Sequence, residues 1–336
     1  MNRSMLKNLE KYNDIKISKG IYLKTVRTTD RDGYNGISTE RYGKHWYMLP
    51  KGRAIFKTYY DKNLFYDGIR NIRLVNELIC QELAKQVSVL CAEYEPASKN
   101  EHYGLVTYDV AKPGEEVLSL NQFYSFTKMP HRHRENSFKK FVEAIDSLQA
   151  EGYKLNKQKM LKGYFKIAVF DCLTAQGDRH ENNVLVLVDK NKKTVRLSPV
   201  IDNEFAFNIA NIDAMLMEDD KIGDETFLKN LKYISYQLSL REYNIAKDDD
   251  DVYEINLNEI VKLVKTNTSY ANLFRSMFSK IDVDAAIKKV EQQHKIKIGK
   301  AYKQYLITAE KVIKNNIKQH LLKTTQKDDS YNFLSQ

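Results

Sequence analysis

One polar loop set between strongly apolar segments constrains the fold of this chain most. Residues 157–175 are apolar nearly all round from Tyr164 onward, which predicts a central, buried helix. The polar loop 177–183 (GDRHENN) follows, and the apolar runs 184–189 and 194–201 then flank a Lys-rich turn. These two runs predict an antiparallel hairpin. Because core elements flank the loop on both sides, we expect it to hold a fixed position, where polar residues often carry function.

The spacing within this loop indicates a particular chemistry. Asp178 and Asn183 have the Asp-x-x-x-x-Asn spacing of kinase catalytic loops, in which the Asp orients an attacking hydroxyl and the Asn offers oxygen to Mg²⁺. The ends of a hairpin are neighbours, so Asp202 is expected beside Asn183, and together they would form a hard-oxygen Mg²⁺ site. The plainer alternative is that Asp178 caps a turn and Asp202 ends a strand.

The first half of the chain predicts strands and one helix. Residues 69–87 carry a helical apolar stripe, and Lys57 follows Ala-Ile-Phe in the manner of the kinase Val-Ala-Ile-Lys element. A strand lysine ordinarily reaches solvent, which is the alternative interpretation. Glu77 and Glu82 on the helix are both candidates to pair with Lys57. The strand-like runs are 20–27, 45–49, 54–60 and 103–110.

A small-residue loop precedes the lysine strand. Gly33, Gly36 and Ser38 lie there, and backbone N–H groups of such a loop can cover phosphates. The loop lacks the Gly-x-Gly-x-x-Gly pattern, so it carries little weight by itself. Loop, lysine, glutamate, Asp/Asn loop and final Asp nevertheless follow one another in the order found in kinases.

Charge and composition limit the remaining classes. The 336 residues carry a net charge of +10, but the lysines are spread over the chain, which favours a solvated surface over a nucleic-acid partner. The basic patch 131–134 is interpreted as a surface loop, with docking of an anionic partner as the alternative. No apolar run is long enough for a membrane span, and the N-terminus does not resemble a signal peptide. A cytoplasmic protein with reduced core cysteines is expected, although delivery without a cleaved signal would leave no trace.

The layout predicts an α+β, bilobal, protein-kinase-like fold. A small, sheet-rich N-lobe would occupy residues 1–111, with a hinge near 106–112. A larger helical C-lobe would occupy 112–325 and contain the loop 177–183 and the hairpin 184–202. Residues 326–336 are expected to form a frayed tail.

Several motifs resemble the HipA-like serine/threonine kinase family. Residues 177–180 (GDRH) resemble its reversed Asp-Arg-His catalytic loop, which phosphoinositide kinases share. Residues 76–77 (NE) with 82–85 (ELAK) resemble the family's Asn-Glu…Leu-Ala-Lys helix, and 198–202 (SPVID) resembles its Ala-Pro-Leu-Tyr-Asp. The resemblance runs from about Gly33 to Phe207. Because the chain is short, it resembles the compact, CtkA-like members, and the subdomain through which longer members contact antitoxin and DNA is expected to be absent.

The resemblance implies a role for each matching residue of the C-terminal half. Asp178 would be the catalytic Asp, and His180 would support the conformation of its loop. Asn183 and Asp202 would be the Mg²⁺ ligands.

It also implies roles in the N-terminal half. Lys57 would contact the ATP phosphates, and Glu77 matches the family's helix glutamate. Tyr108 and Asp109 would lie in the interlobe hinge that holds adenine. Ser38, in the phosphate loop, is a candidate for the autophosphorylated serine of the family.

The sequence is therefore interpreted as an ATP- and Mg²⁺-dependent serine/threonine protein kinase acting on an unidentified protein hydroxyl and, as a candidate reaction, on itself. A lipid or small-molecule kinase is the second interpretation. The absence of an amphipathic membrane segment and the Asn-Glu helix favour a protein substrate and no membrane partner. A non-catalytic pseudokinase scaffold is the third interpretation, disfavoured because every key position holds a competent residue.

Overall fold

The structure is a computed structural model of the chain. It describes residues 21–22, 44–49, 52–58, 67–99, 102–129, 137–176, 179, 181–209 and 257–326. Most of the predicted strand 20–27 lies outside these residues.

A five-stranded sheet forms the N-terminal part, with strand order β1-β4-β5-β3-β2. Ala54 and Phe56 pack on one face of β3 with Ala97 and Val106. Because strand residues alternate between faces, Lys57 lies on the opposite face, paired in register with Leu105 of the main core. The strands are β1 Ile21–Tyr22, β2 Lys44–Leu49, β3 Gly52–Thr58, β4 Tyr94–Lys99 and β5 His102–Tyr108.

Helix α1, Asp67–Gln86, packs between this sheet and the helical part of the chain. Every residue from Leu74 to Ala84 is buried. The apolar stripe predicted for this helix therefore understates its burial, because polar residues such as Asn76 and Glu77 are enclosed as well.

The C-terminal part is mainly helical and contains a second, three-stranded sheet with order β6-β7-β8. The predicted central helix is observed at Lys157–Leu173, and its residues from Ile167 to Leu173 are buried. The strands of this second sheet are β6 Glu116–Ser119, β7 Leu185–Asp189 and β8 Thr194–Leu197. The helices are α2 Leu120–Phe126, α3 Ser137–Ala150, α4 Lys157–Leu173, α5 Leu257–Thr266, α6 Thr268–Lys280, α7 Val283–His294 and α8 Lys300–Gln326.

This architecture confirms the predicted α+β, kinase-like fold class. The lobe boundaries at 111 and 325 stay predictions. Strands β4 and β6 and helix α2 were not predicted, and the first hairpin turns earlier than expected, since Gly52 and Arg53 already belong to β3. Gly52 has a φ of 128°, a value that favours glycine. None of the described helices is both long and apolar enough to cross a membrane.

Candidate active site

Three carboxylates surround the side chain of Lys57. Its Nζ lies 2.7 Å from Asp202 Oδ1, 2.7 Å from Glu204 Oε2 and 3.9 Å from Glu77 Oε1. Strand β3, helix α1 and the segment after β8 each contribute to the cluster. Lys57 is only 8% exposed, so these charges interact in a partly dehydrated environment.

The excess of acid over base shifts the pKa values of the cluster. Burial lowers the pKa of Lys57, but the carboxylates of Asp202, Glu204 and Glu77 outweigh it and raise the pKa well above its ordinary value. Burial raises the pKa of Glu77 to about 8, and Asp202 and Glu204 act in the same direction while Lys57 opposes them. Glu77 Oε2 accepts a 2.9 Å hydrogen bond from the N–H of Asn203, whereas Oε1 accepts none from the described residues. Lys57 is therefore a permanent cation, and the carboxyl of Glu77 is protonated more easily than an ordinary glutamate.

The segment carrying Asp202 has an unusual backbone. Asp202, Phe207 and Asn208 have φ values of 53°, 57° and 56°, in the left-handed region that non-glycine residues rarely adopt. Backbone hydrogen bonds fix the end of the segment, because the N–H groups of Phe207 and Asn208 donate to the carbonyls of Thr174 and Ala175 after α4. Such a conformation persists only where the surroundings impose it, which is typical of functional sites.

Asn76 of α1 holds the same segment from the other side. Its Nδ2 donates to the carbonyls of Glu204 at 3.0 Å and Ala206 at 2.7 Å, and its Oδ1 accepts from the hydroxyl of Tyr302 at 2.6 Å. The side chain is fully buried, so each of these bonds replaces a bond to water. The asparagine of the Asn-Glu pair thus positions the strand-to-loop segment, while the glutamate faces Lys57.

Arg179 connects the predicted catalytic loop with both of its flanking elements. Its Nε and Nη2 atoms donate to the carboxylate of Asp171 in α4, and Nη2 also donates to Asn203 Oδ1 at 2.6 Å. Its Nη1 atom donates to the carbonyls of Asn183 at 3.3 Å and Ile201 at 2.5 Å. One buried guanidinium therefore binds the backbone at Asn183 and at the residue before Asp202, which brings the two ends of the hairpin together.

The oxygen-rich side chains at this hairpin base fit a magnesium ion. Asn183 is buried at the end of a short 3₁₀ turn, Glu181–Asn183, and Asp202 retains a carboxylate beside Lys57. Within the described residues, no group of three or more His, Cys, Asp or Glu side chains could hold a metal by itself.

Glu82, the alternative partner for Lys57, lies elsewhere. Its carboxylate contacts Lys85 Nζ at 2.5 Å and Lys289 Nζ of α7 at 2.6 Å. The structure therefore brings Glu77, and not Glu82, to Lys57.

Tyr108 and Asp109 lie where the chain leaves the first sheet. Tyr108 is the last residue of β5 and pairs with Ala54. The Asp109 carboxylate accepts a 3.0 Å hydrogen bond from the N–H of Ala111 and lies 3.8 Å from Arg53 Nε. Asp109 thus shapes the turn at the predicted hinge, and adenine binding there stays a prediction.

Five predicted site residues fall outside the described part of the chain. They are Gly33, Gly36, Ser38, Asp178 and His180.

Sequence reasoning missed three contributors to the site. Asp171 is a lone charge in an otherwise apolar stretch of α4, which was a readable signal for a buried ion pair. Arg179 was available inside the quoted motif and was given no role. Glu204 carried no signal, because its approach to Lys57 depends on the left-handed turn at Asp202.

The fold and this site define a protein of the bilobal kinase-like class. The crystal structure of a Helicobacter pylori proinflammatory kinase, CtkA, is similar with a TM-score of 0.60 and 14% identity, covering 91% of this chain and 98% of that chain. HipA from the Shewanella oneidensis MR-1 toxin–antitoxin complex with HipB and operator DNA gives a TM-score of 0.46 at 12% identity, covering 83% of this chain and 60% of that one.

The sequence itself gives the family. A model of the HipA-like C-terminal domain matches residues 40–277, so the chain belongs to that family and the predicted resemblance is confirmed. A search of curated proteins found no significant match.

Proposed function

We propose that this protein is an ATP- and Mg²⁺-dependent kinase of the HipA-like serine/threonine type. The observation that carries the proposal is the position of Lys57 between Glu77 and Asp202. This position is at the base of the hairpin that also carries Asn183. Kinases place a lysine, a helix glutamate and a metal-binding aspartate in this relation.

Each residue would have a limited task. Lys57 is a permanent cation on the face of β3 that faces α1, and it would bind the nucleotide phosphates. Glu77 would orient Lys57, and Asp202 with Asn183 would hold Mg²⁺. Mg²⁺, when bound, would neutralise charge that develops on the transferred phosphoryl group.

Asp178 would face the acceptor hydroxyl, orient it and take its proton as the oxygen attacks. His180 would support the loop that carries Asp178. Tyr108 and Asp109 would line the adenine site, and Gly33, Gly36 and Ser38 would cover the phosphates. Arg179 would act as a positioning residue, since its contacts are with the protein and not with the reacting atoms.

The acceptor is proposed to be a protein hydroxyl, with Ser38 as a candidate site of autophosphorylation. A lipid or small-molecule acceptor is the alternative, because phosphoinositide kinases share the reversed loop. The Asn-Glu pair on α1 favours the protein kinase, since Asn76 and Glu77 both engage the segment that carries Asp202.

A transfer assay tests this function. The protein is incubated with γ-phosphate-labelled ATP and Mg²⁺, alone and with a cell lysate, and labelled peptides are mapped. We expect labelled serine or threonine with the wild type, no label with Asp202→Asn, and unchanged label with the surface control Asp146→Asn. Label on lipid or on a small molecule alone would replace the protein-kinase proposal, and label that survives in a folded Asp202→Asn protein would refute the site.

A further inference from the structure

A large groove lies on a part of the molecule that shares no residue with the candidate active site. It has a volume of about 1360 Å³. Strand β8 and the first three turns of α4 form its walls, together with Lys154, which pairs with Thr194 at the start of β8. The loop 88–90 and Leu273 of α6 complete the lining.

The lining is strongly basic. Seven of the twenty lining residues are lysine or arginine and none is acidic, so the groove presents one sign of charge. Two of the seven are neutralised, since Arg196 forms a bidentate pair with Glu115 and Lys157 contacts Asp146. The seven are Lys112, Lys154, Lys157, Lys159, Lys162, Lys166 and Arg196.

The remaining lysines concentrate positive charge in the groove. Lys154, Lys159 and Lys162 have no ion-pair partner among the residues that the structure describes. The pKa of Lys166 is lowered by burial and by the nearby charges of Lys280 and Lys162, which is what crowded cations produce. A negatively charged ligand would relieve this repulsion.

Part of the groove lining is apolar. Leu90 projects from the loop after α1 and is 63% exposed, the most exposed of the large hydrophobic side chains in the described residues. Leu155, Leu197 and Leu273 also line the groove, and no aromatic side chain does. Single-stranded nucleic acids are commonly bound by stacking bases on aromatic rings, so this lining favours a peptide that carries acidic and aliphatic side chains.

We propose that this groove docks an acidic, aliphatic-rich segment of a protein partner, through the lysines and leucines of its lining. If the proposed kinase function holds, the partner is the protein substrate, and docking uses none of the residues assigned to the phosphate-transfer site. Peptide binding itself does not require the kinase function.

A binding experiment tests the groove directly. The probe is a fluorescein-labelled peptide in which glutamates alternate with leucines, titrated with the full-length protein and followed by anisotropy. We expect saturable binding that weakens with salt and that falls about tenfold or more in Lys154→Glu/Lys162→Glu. The matched control, Lys139→Glu/Lys311→Glu, makes the same charge change outside the groove and should bind within about twofold of wild type.

Several results would each overturn the proposal. They are equal binding of a peptide with glutamine in place of glutamate, equal loss in the two folded double variants, and preferential binding of a labelled single-stranded RNA. Binding that appears only after the acidic run 248–251 is changed to asparagine would also overturn it, since the chain's own segment would then be the occupant. Folding of each variant is checked by its thermal melting transition.

The active-site variant Asp202→Asn separates this proposal from the kinase function. It should bind the peptide as the wild type does, because Asp202 does not line the groove. In the wild-type protein, peptide binding without phosphate transfer would refute the kinase and leave the groove intact, whereas transfer without peptide binding would refute the groove alone.

Discussion

Glu204 adds a carboxylate to the cluster around Lys57, beside those of Asp202 and Glu77. Its carboxylate lies 2.7 Å from the lysine and competes for it with any bound phosphate. A negative charge at this position would also repel the nucleotide. We expect Glu204→Gln to tighten binding of Mg²⁺-ATP by about threefold to tenfold, measured by titration calorimetry, with the surface variant Glu143→Gln unchanged. Weaker binding would instead identify Glu204 as a metal ligand.

Glu77 predicts a dependence of stability on pH. Burial raises its pKa from 4.5 to about 8, so between these values the unfolded chain has lost a proton that the folded protein keeps. The folded state then binds more protons, and stability falls as pH rises, by about 1.4 kcal/mol per pH unit. The neutral Glu77→Gln lacks this dependence, so urea unfolding should show it gaining on the wild type from pH 5 to pH 8. Parallel curves would mean that Glu77 is ionised in the fold throughout.

Asp178 is expected to affect rate and not nucleotide binding. As a positioned carboxylate facing the acceptor, it would contribute about 10²- to 10⁴-fold to transfer, while the metal ligands are other residues. Asp178→Asn should therefore lose transfer and keep its thermal shift with Mg²⁺-ATP. If Asp178 only capped a turn, its replacement would cost at most about 2 kcal/mol of stability and would leave phosphate transfer unchanged.

Among the elements, the loop between α4 and β7 depends on the guanidinium of Arg179. Lysine keeps the charge but cannot bind Asp171, Asn203 and the carbonyl of Ile201 together. We expect Arg179→Lys to lose about 3 kcal/mol of stability in denaturant unfolding and to need more Mg²⁺ for half-maximal transfer. The exposed Arg275→Lys on α6 serves as control. An unchanged magnesium requirement would restrict Arg179 to stability.

The elements also show what a sequence pattern can predict. The apolar run of α4 and the hairpin after it were predicted because their burial is written in consecutive residues. Strand β4 was missed because it contains Pro96 and polar residues, which disfavour a strand, although β1 and β5 pair with it on both sides. The predicted apolar stripe assumes one buried face, whereas residues 74–84 of α1 are buried on all sides, so that Glu77 is enclosed as well.

The candidate site was partly readable for the same reason. The chain order of motifs predicted that Lys57 pairs with a glutamate of the helix, and the structure places its Nζ 3.9 Å from Glu77 Oε1. The 2.7 Å contact of Lys57 with Asp202 was not predicted. Glu204 and the link between Arg179 and Asp171 arise from tertiary contacts between segments that no local pattern relates. Their functional roles, like those of the residues outside the described part of the chain, stay predictions.

At the scale of the whole molecule, the last two helices support the site from a distance. Tyr302 of α8 donates to Asn76 Oδ1, and Tyr305 donates to the carbonyl of Phe207 at 2.5 Å. Both helices, α7 and α8, lie beyond residue 277, where the family match ends. Helix α8 therefore supports residues of the candidate site, although the family model does not extend to this helix.

Removing these two hydroxyls tests that support. Tyr302→Phe/Tyr305→Phe leaves the packing intact but strands buried acceptors, so we expect a loss of about 2 to 4 kcal/mol in urea unfolding and weaker binding of Mg²⁺-ATP. Tyr153→Phe, near the surface before α4, is the matched control. If stability falls and nucleotide binding does not change, α8 supports the fold and not the site.

The enclosure of α1 has a consequence for how such a molecule could be switched. Many protein kinases are turned off by moving the corresponding helix away from the lysine. Here that motion would break the contacts of Glu82 with Lys289 and of Gln86 with Asp282, and would expose Asn76 and Glu77 to solvent. An inactive state that is reached by moving α1 would therefore be high in free energy for this protein. We expect any control to act by changing charge, through ion or proton occupancy around Lys57, while the helix itself stays still.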